Sequence, residues 1–204
     1  MPGGGSTMVG SGAQDPGMGS LIYSMNVSLD GFIETVDRSL DWTDVNEEVH
    51  TWFQAEVAGS DALLYGRRLY EVMAAYWPYS EADTAAPSWV KDFGRVWLAR
   101  PKIVFSSTLE SVDWNSRLVR ADPVAALPAL KEEFPGTLAV AGPTLASAFI
   151  RANLVDEYRM VVHPVLLGAG KPYFPPLETL LRLRLLDTKR FARGAVALRY
   201  ERVT

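Results

Sequence analysis

The sequence contains no cysteine and only two histidines, His50 and His163. Without cysteine the chain forms no disulfide and no thiolate metal site, and two histidines are too few for a histidine-rich metal cluster. We therefore expect no bound metal. A chain without disulfides also fits a cytoplasmic protein, and we expect that location.

Long apolar runs and a strong charge of either sign are absent as well. No apolar stretch approaches the roughly 20 residues that a membrane-spanning helix needs. The formal net charge is −4, and such a balance argues against a general nucleic-acid binder. We expect a small-molecule ligand, with neither a membrane nor a nucleic acid as partner.

The composition predicts one globular domain preceded by a tail. Hydrophobic residues make up 48% of the 204 residues, which is ordinary for a domain with a sizeable core. Residues 1–19 are instead rich in Gly, Ser and Pro, and they lack the basic and apolar segments of a signal peptide. We interpret 1–19 as a flexible tail, tag remnant or linker, and 20–204 as the domain.

The stretch 137–174 has the pattern of a β-α-β unit. Leu138–Ala141 suits a short buried strand, and apolar residues then recur at helical spacing to about Asn153. A second strand follows at Tyr158–Val165. Units of this kind occur in parallel sheets that are covered on both faces.

A Gly142-Pro143 turn starts the helix of that unit. Backbone N–H groups in a first helical turn have no helical partner and, with the helix dipole, suit a phosphate. The alternative is a plain helix start without a ligand. The amides concerned belong to Thr144, Leu145 and Ala146.

A second junction of strand, glycine and helix follows Ala62–Tyr65 and carries two cations, Arg67 and Arg68, directly after Gly66. Cations are unfavourable at a helix N-terminus unless an anion is near. Arginine matches phosphate geometry with two parallel hydrogen bonds, which favours a phosphate clamp. The alternative is a solvated arginine pair.

The remaining pattern predicts further strands and helices. Leu21–Ser28 and Lys102–Phe105 read as strands, and a helix is expected from Asp44, with Asp44 as its N-cap. Leu183–Phe191 and Ala195–Val203 alternate as an antiparallel hairpin. The fold class is therefore α/β, a doubly wound, mostly parallel sheet with a C-terminal antiparallel hairpin.

Four polar or glycine-bearing turns follow strands of this predicted sheet. A doubly wound sheet binds ligands outside the carboxyl ends of its strands. The convergence of these turns at one edge suggests a ligand that carries phosphate. The turns are Asp30-Gly31, Gly66-Arg67, Ser106-Ser107 and Gly142-Pro143.

Motifs along residues 20–203 resemble the dihydrofolate reductase-like superfamily, in the branch of the reductase domain of the bacterial riboflavin-biosynthesis deaminase–reductase. The motifs are Ser28-Leu-Asp-Gly-Phe-Ile33, Leu40-Asp-Trp42, Tyr65-Gly-Arg-Arg-Leu-Tyr-Glu71, Phe105-Ser-Ser107, Gly142-Pro-Thr-Leu145, Leu154-Val-Asp-Glu157 and Pro164-Val-Leu-Leu-Gly-Ala-Gly170.

The resemblance implies a dihydrofolate reductase-like reductase domain that binds NADPH. It implies that the two glycine junctions hold the pyrophosphate, that the cation there favours the 2′-phosphate, and that the serine pair lies beside the adenosine. Ile33 would belong to the loop that covers the nicotinamide. The implied cofactor residues are Ile33, Gly66, Arg67, Arg68, Ser106, Ser107, Ala141, Gly142, Pro143, Thr144, Leu145 and Ala146.

Three positions depart from the family pattern. Ala141 replaces the first of two tandem glycines, and Leu69 replaces a threonine that would bind pyrophosphate. The acidic residue expected before the aromatic pair Trp52-Phe53 is missing. Without that carboxylate to hold a pterin, we expect little or no turnover of dihydrofolate.

Few residues remain as candidates for the chemistry. Asp30 and His50 are the candidate catalytic residues, with a turn residue and an ordinary half-buried histidine as the respective alternatives. Asn26, Trp42 and Phe53 are the candidate substrate-binding residues, and the two aromatic rings would sandwich a flat heterocycle or simply join the core.

The functional hypothesis is an NADPH-dependent oxidoreductase that reduces a small cyclic or heteroaromatic C=N or C=O group. A riboflavin-pathway pyrimidine of the 5-amino-6-ribosylaminouracil phosphate type is one such substrate. A non-catalytic NADP(H)-binding or scaffold protein is the alternative. We also expect a homodimer formed through the C-terminal strands and the aromatic pair Tyr173-Phe174, since an edge strand needs cover.

Overall fold

A computed structural model describes residues 19–203 and gives ten strands and five α-helices within them. The strands are β1 (Ser20–Ser28), β2 (Phe32–Glu34), β3 (Ala62–Gly66), β4 (Lys102–Phe105), β5 (Ser116–Val119), β6 (Thr137–Ala141), β7 (Glu157–His163), β8 (Lys171–Pro172), β9 (Leu183–Arg190) and β10 (Val196–Arg202). The helices are α1 (Glu47–Ala58), α2 (Arg67–Tyr76), α3 (Ser88–Ala99), α4 (Pro123–Glu133) and α5 (Pro143–Arg151). Except for Gly19, the predicted tail lies outside the described residues.

Eight of the strands form one sheet in the order β5-β4-β3-β6-β1-β7-β10-β9. The first six are parallel, β10 runs antiparallel to β7, and β9 runs antiparallel to β10. The predicted doubly wound, mostly parallel sheet with a C-terminal hairpin is confirmed. Because β1 lies between β6 and β7, the chain winds outward from it in both directions, and a crevice forms where it does so.

Helices cover both faces of this sheet. On β3, Leu64 packs with the side chains of α4 and α5, while Leu63 and Tyr65 pack with those of α3, because successive strand residues point to opposite faces. Phe149 on α5 and Trp97 on α3 are fully buried on the two sides. Each such side chain contributes on the order of 1.5–3 kcal/mol to folding.

Helix α1 begins later than the sequence pattern suggested. The prediction of Asp44 as N-cap is wrong, because Asn46 accepts hydrogen bonds from the amides of Glu48 (3.1 Å) and Val49 (3.2 Å). Asp44 is used elsewhere, in an ion pair of 2.8 Å with Arg193 of the β9–β10 turn. Asp and Asn are both suitable N-cap residues. Because Arg193 of the β9–β10 turn pairs with Asp44, Asn46 caps the helix.

Ile33, which the resemblance placed in a loop, belongs to strand β2, and β2 pairs with β8 in a separate two-stranded sheet. The backbone of Gly170 approaches this strand closely, since a Cβ at Gly170 would lie 2.0 Å from the carbonyl oxygen of Glu34. Glycine is therefore required there, and it fixes the β2 segment across the end of β1.

At the C-terminal edge, β9 exposes Leu185 and Leu186. Tyr173 and Phe174, expected at a dimer axis, instead face their own chain. Tyr173 is buried, stacks on Tyr23 at 4.3 Å between ring centroids, and donates a hydrogen bond to the carbonyl of Tyr23. Among the described residues, no helix is both long enough and apolar enough to span a bilayer.

Candidate active site

Two glycine-led helices, α2 and α5, begin side by side at the carboxyl ends of β3 and β6. Gly142 has φ +92°, and a Cβ there would lie 3.5 Å from Cδ2 of Leu69. A Cβ at Gly66 would lie 3.8 Å from Cβ of Leu145. Between the two helix starts is a cavity of about 400 Å³, called the cleft below.

The cleft brings together most of the predicted cofactor residues. Those lining it are Gly66, Arg67, Arg68, Gly142, Pro143, Thr144 and Leu145. Ala146 does not belong with them, because its amide donates to the carbonyl of Gly142 (3.1 Å) as an ordinary helical hydrogen bond. The prediction that its N–H faces a ligand is therefore wrong. The amides of Thr144 and Leu145, which precede Ala146 in the first turn of α5, have no helical acceptor.

The two arginines at the start of α2 differ in what they contact. Arg68 forms an ion pair of 2.8 Å with Glu34 of β2. Arg67 is more than half exposed, and its one ion-pair partner among residues 19–203 is Glu71, one turn along the helix, at 3.7 Å. Exposed pairs of this length contribute about 0–1 kcal/mol, so Arg67 is the cation that an incoming anion can engage at little cost.

A second cavity of about 410 Å³, called the pocket below, lies between the sheet and helices α1, α2 and α3. The small side chains of Ala139 and Ala141 on β6 line it and leave room above the sheet. The pocket adjoins the cleft, because the side chains of Met25, Leu40, Leu69 and Val72 line both cavities.

Aromatic rings form much of the pocket wall. Phe53, Trp77, Phe93 and His50 all line it. The His50 ring lies 4.9 Å from that of Phe93 and 5.6 Å from that of Trp77, and its Nδ1 has no hydrogen-bond partner within residues 19–203. Burial lowers the pKa of His50 from 6.5 to about 4, so the ring is neutral at neutral pH.

A charged pair that the sequence did not reveal lies at the pocket, between Glu56 of α1 and Arg159 of β7. Behind it, Arg159 donates to Glu157 through Nε (2.7 Å) and Nη2 (3.0 Å), and Arg199 of β10 donates to the same carboxylate (2.7 Å). Burial opposes ionisation of Glu157, but these hydrogen bonds outweigh it and lower the pKa of Glu157.

Ser24 is a second pocket residue that the sequence did not reveal. It lies directly beside Arg159 in the β1–β7 register. Its hydroxyl is buried and has no hydrogen-bond partner in the described part of the chain, although the side chain lines the pocket. A buried hydroxyl without a partner is costly, and a ligand group would relieve that cost.

The predicted substrate residues are only partly brought together. Asn26 and Phe53 line the pocket, as does Ile33, which is almost fully buried. Asn26 also binds Nε2 of His163 at 2.8 Å. Trp42 lines neither cavity, and its ring packs edge-on against His163 at 5.6 Å.

Comparison with known proteins shows the family to which this chain belongs. Residues 20–197 match the model of the RibD C-terminal domain. The chain belongs to the RibD C-terminal domain family. It is 31% identical over 183 residues to YyaP of Bacillus subtilis, an uncharacterised protein, covering 88% of this chain and 93% of YyaP.

Solved structures show the same fold at lower identity. A putative riboflavin biosynthesis protein from Shewanella sp. PV-4 superposes with a TM-score of 0.70 at 24% identity, covering 91% of this chain and 99% of that one. Dihydrofolate reductase from Enterococcus faecalis, complexed with NADP(H), gives 0.60 at 15% identity, covering 92% and 98%. The predicted resemblance to the RibD branch of the dihydrofolate reductase-like superfamily is confirmed.

The serine pair that the family resemblance singled out, Ser106 and Ser107, lies outside both cavities. Ser106 accepts hydrogen bonds from the amides of Thr108 (3.2 Å) and Leu109 (3.0 Å), and the carbonyl of Ser107 binds Arg120. Both serines thus organise the turn after β4. Their predicted place beside an adenosine remains a prediction.

Asp30 also lies away from the two cavities. It accepts hydrogen bonds from the Ser28 hydroxyl (2.6 Å) and from the amides of Leu167 and Gly168. The bond from Ser28, with the backbone bonds, lowers the pKa of Asp30. These contacts favour an anchor for the loop after β7 over the predicted catalytic role.

Proposed function

We propose that this RibD-family protein is an NADPH-dependent reductase that binds the cofactor in the cleft and a small cyclic or heteroaromatic substrate in the pocket. Family membership and the dihydrofolate reductase-like fold support an oxidoreductase. The observation that carries the proposal is that the two cavities are neighbours, with Met25, Leu40, Leu69 and Val72 lining both. A hydride donor in one and an acceptor in the other would meet at those residues.

The cleft suits the diphosphate of a dinucleotide. Gly142 lies against Leu69, and its backbone has no side chain to keep a ligand away. The amides of Thr144 and Leu145 at the start of α5 would donate to phosphate oxygens, with the helix dipole behind them. Arg67 would bind the additional 2′-phosphate of NADPH, because Arg68 is already paired with Glu34.

The reaction needs a hydride and a proton. When bound, a reduced nicotinamide supplies the hydride to the carbon of the C=N or C=O group, and the nitrogen or oxygen takes one proton. His50 is neutral at neutral pH and a poor proton donor, since the pKa of its ring is about 4. Asp30 lies outside the pocket. We therefore infer that the proton comes from water.

The pocket residues orient and desolvate the substrate. The rings of Phe53 and Trp77 line the pocket and would stack on a flat substrate. The buried side chain of Ile33, on β2, forms another part of the pocket wall. The glutamate tail of dihydrofolate would find no free cation on the pocket lining, which supports the expectation of little dihydrofolate turnover.

The test is a substrate screen in which NADPH consumption is followed by its absorbance and NADPH binding by its fluorescence. We expect tight binding, consumption with at least one cyclic imine or carbonyl compound, and at most a trace with dihydrofolate. Gly142→Val should abolish both signals, because it puts a branched side chain at a positive φ in the cleft. Binding without consumption across the panel would contradict the reductase and favour the non-catalytic alternative.

We also propose that two copies of the chain pair through the exposed edge strand β9. Leu185 and Leu186 are exposed there, and an open apolar edge favours pairing with another strand. Light scattering at tens of micromolar should give twice the mass of one chain. Leu185→Lys should give the single-chain mass, whereas Leu180→Lys, an exposed loop position, should not. A single-chain mass for the wild type would reject the dimer.

A further inference from the structure

The pocket and the cleft differ in the charge that they offer a ligand. Only two of the residues lining the pocket carry a charge, Glu56 and Arg159, and they are paired with each other. The cleft is lined by Arg68 and Glu34, which pair with each other, and by Arg67, whose nearest carboxylate within residues 19–203 is that of Glu71 at 3.7 Å. A negatively charged substrate therefore finds different surroundings in the two cavities.

Arg159 cannot bind an anion without losing existing partners. Nη1 donates to Glu56, while Nε and Nη2 donate to Glu157, so that all three nitrogens contact carboxylates. Arg199 completes the group, and its two cations and two carboxylates balance. A phosphate entering the pocket would meet the carboxylate of Glu56 and a guanidinium that is already compensated.

Glu56 has one carboxylate oxygen left for a ligand. Its Oε2 accepts from Arg159, whereas Oε1 has no hydrogen-bond partner between residues 19 and 203. The side chain is about one-fifth exposed and lines the pocket. A carboxylate oxygen accepts and cannot donate, so its complement is an N–H or O–H group on the ligand.

Two further groups at the pocket lack protein partners in the described chain, and neither is charged. They are the hydroxyl of Ser24, beside Arg159, and Nδ1 of His50, which is neutral at neutral pH. Both can pair with a neutral ring that carries nitrogen and oxygen atoms. Neither supplies the positive charge that a buried anion requires.

We propose that the pocket selects an uncharged, flat heterocycle that presents N–H donors to Glu56, and that it rejects substrates carrying phosphate or carboxylate. This inference rests on the proposed function, because it names the substrate class of the same site. It disfavours a phosphorylated ribosylaminouracil and favours an unphosphorylated ring. Glu56 is the residue that determines this specificity.

The test uses a matched pair of probes, 2-aminoquinazolin-4-one and its ring-carboxylate derivative, titrated calorimetrically into the protein with and without NADPH near neutral pH. The neutral probe carries N–H donors on one edge, and the second probe adds a carboxylate, with its negative charge and its bulk. The uncharged ring carboxamide, which is of similar size, separates the effect of charge from that of bulk. We expect the neutral probe to bind at least about tenfold more tightly. Equal affinities, tighter binding of the carboxylate, or no binding of the neutral probe would overturn the proposal.

Variants at Glu56 and Ser24 test which residue discriminates. Glu56→Gln should weaken binding of the neutral probe by about tenfold. It should also reduce the ratio of the two probes' affinities, because Arg159 is then less compensated and can attract the carboxylate. Glu47→Gln, an exposed position on the same helix, should change neither value. If Glu56→Gln melts too early to titrate, Ser24→Ala keeps the ion pairs, and it should weaken the neutral probe several-fold. An unchanged ratio in Glu56→Gln, or an unchanged affinity in Ser24→Ala, would contradict the proposal.

Failure of this inference can be told from failure of the proposed function. If NADPH does not bind but the probes are discriminated in the cofactor-free protein, the reductase assignment fails and the pocket inference stands. If NADPH is consumed with a phosphorylated pyrimidine and not with its dephosphorylated form, the reductase assignment stands and the pocket inference fails.

Discussion

The cleft and the pocket have nearly the same volume and share four side chains, yet they treat charge in opposite ways. The cleft lies at two helix starts, where Arg67 is exposed and Arg68 is paired with Glu34. The pocket is made of aromatic and small side chains, and its two charges are paired. The fold thus separates binding of an anion from recognition of an uncharged ring.

The difference follows from solvent. At the rim of the sheet a cation remains hydrated, so that an unpaired arginine costs little and gains when an anion arrives. Inside the pocket an unpaired charge would cost several kcal/mol, and Arg159 is therefore held by Glu56 and Glu157. If the two cavities differ in this way, acid, substitutions and salt should affect them differently.

His50 should make the pocket, and not the cleft, sensitive to acid. Burial lowers the pKa of its ring to about 4, whereas the unfolded value is near 6.5. The unfolded chain thus binds a proton first, and stability present above pH 6.5 is lost as the pH falls towards 4. This loss amounts to about 3 kcal/mol. His50→Phe should remove it, as measured by urea unfolding near pH 7 and near pH 4.5.

His163 provides the control for that measurement. Burial also lowers the pKa of its ring, and its Nε2 binds Asn26 at the pocket edge. His163→Gln should therefore keep the part of the acid loss that belongs to His50. Equal acid sensitivity in His50→Phe and the wild type would show that the pocket is wetter than described.

Gly142→Ala should damage the cleft selectively. A residue with a Cβ at φ +92° costs about 1–3 kcal/mol, and its methyl group would lie 3.5 Å from Leu69 at the wall of the cleft, so that the turn at the start of α5 should shift. We expect a loss of this size in unfolding free energy together with at least about tenfold weaker NADPH binding. Binding of a neutral ring in the pocket should change little.

Gly194→Ala is the control for Gly142→Ala, because both glycines have nearly the same positive φ. Gly194 has φ +93°, and its added Cβ would lie 3.6 Å from Pro164, but it belongs to the β9–β10 turn. We expect a comparable loss of stability and an unchanged NADPH affinity. If both variants weakened NADPH equally, the effect at Gly142 would be one of general stability.

Salt should separate the two cavities further. Raising the ionic strength from about 0.05 M to about 0.5 M shortens the screening length well below the size of the cleft, so that NADPH should bind several-fold more weakly. A neutral ring in the pocket should keep its affinity. Calorimetric titrations of each ligand at both salt concentrations provide the check, and parallel losses would contradict the contrast.

The smallest effect is expected at Arg68. Because Glu34 already neutralises it at 2.8 Å, Arg68→Ala should change NADPH affinity by less than about 1 kcal/mol. Glu34→Gln should strengthen binding slightly by releasing Arg68. A loss in Arg68→Ala that exceeds the loss in Arg67→Ala would reverse the assignment of the two cations.

The order of elements and the cleft were predictable from the sequence because their signals are local. A glycine followed by a helical pattern indicates a helix start, and both starts follow apolar strand runs, at Gly66 and Gly142. The exact start of α1 was not predictable. Asp44 forms an ion pair with the distant residue Arg193, and Asn46 therefore serves as the N-cap in its place.

The polar part of the pocket could not be predicted, since it joins residues that are distant in the chain. Glu56 and Arg159 are 103 positions apart, and neither belongs to a motif. The unpaired hydroxyl of Ser24 is visible only when its strand register against β7 is known. Asp30 is the opposite case. Its position at a strand end predicted a catalytic residue, whereas in the structure it anchors the loop after β7.

The central claim is that Arg67 and the paired helix starts form a phosphate-binding cleft for NADPH. The most direct test compares dissociation constants for NADPH and NADH, measured by calorimetry on the wild type and on Arg67→Ala. A charge-assisted contact to the 2′-phosphate contributes about 1.5–3 kcal/mol, so the wild type should bind NADPH roughly tenfold to a hundredfold more tightly and the variant should bind both alike. Equal affinities in the wild type would contradict the account.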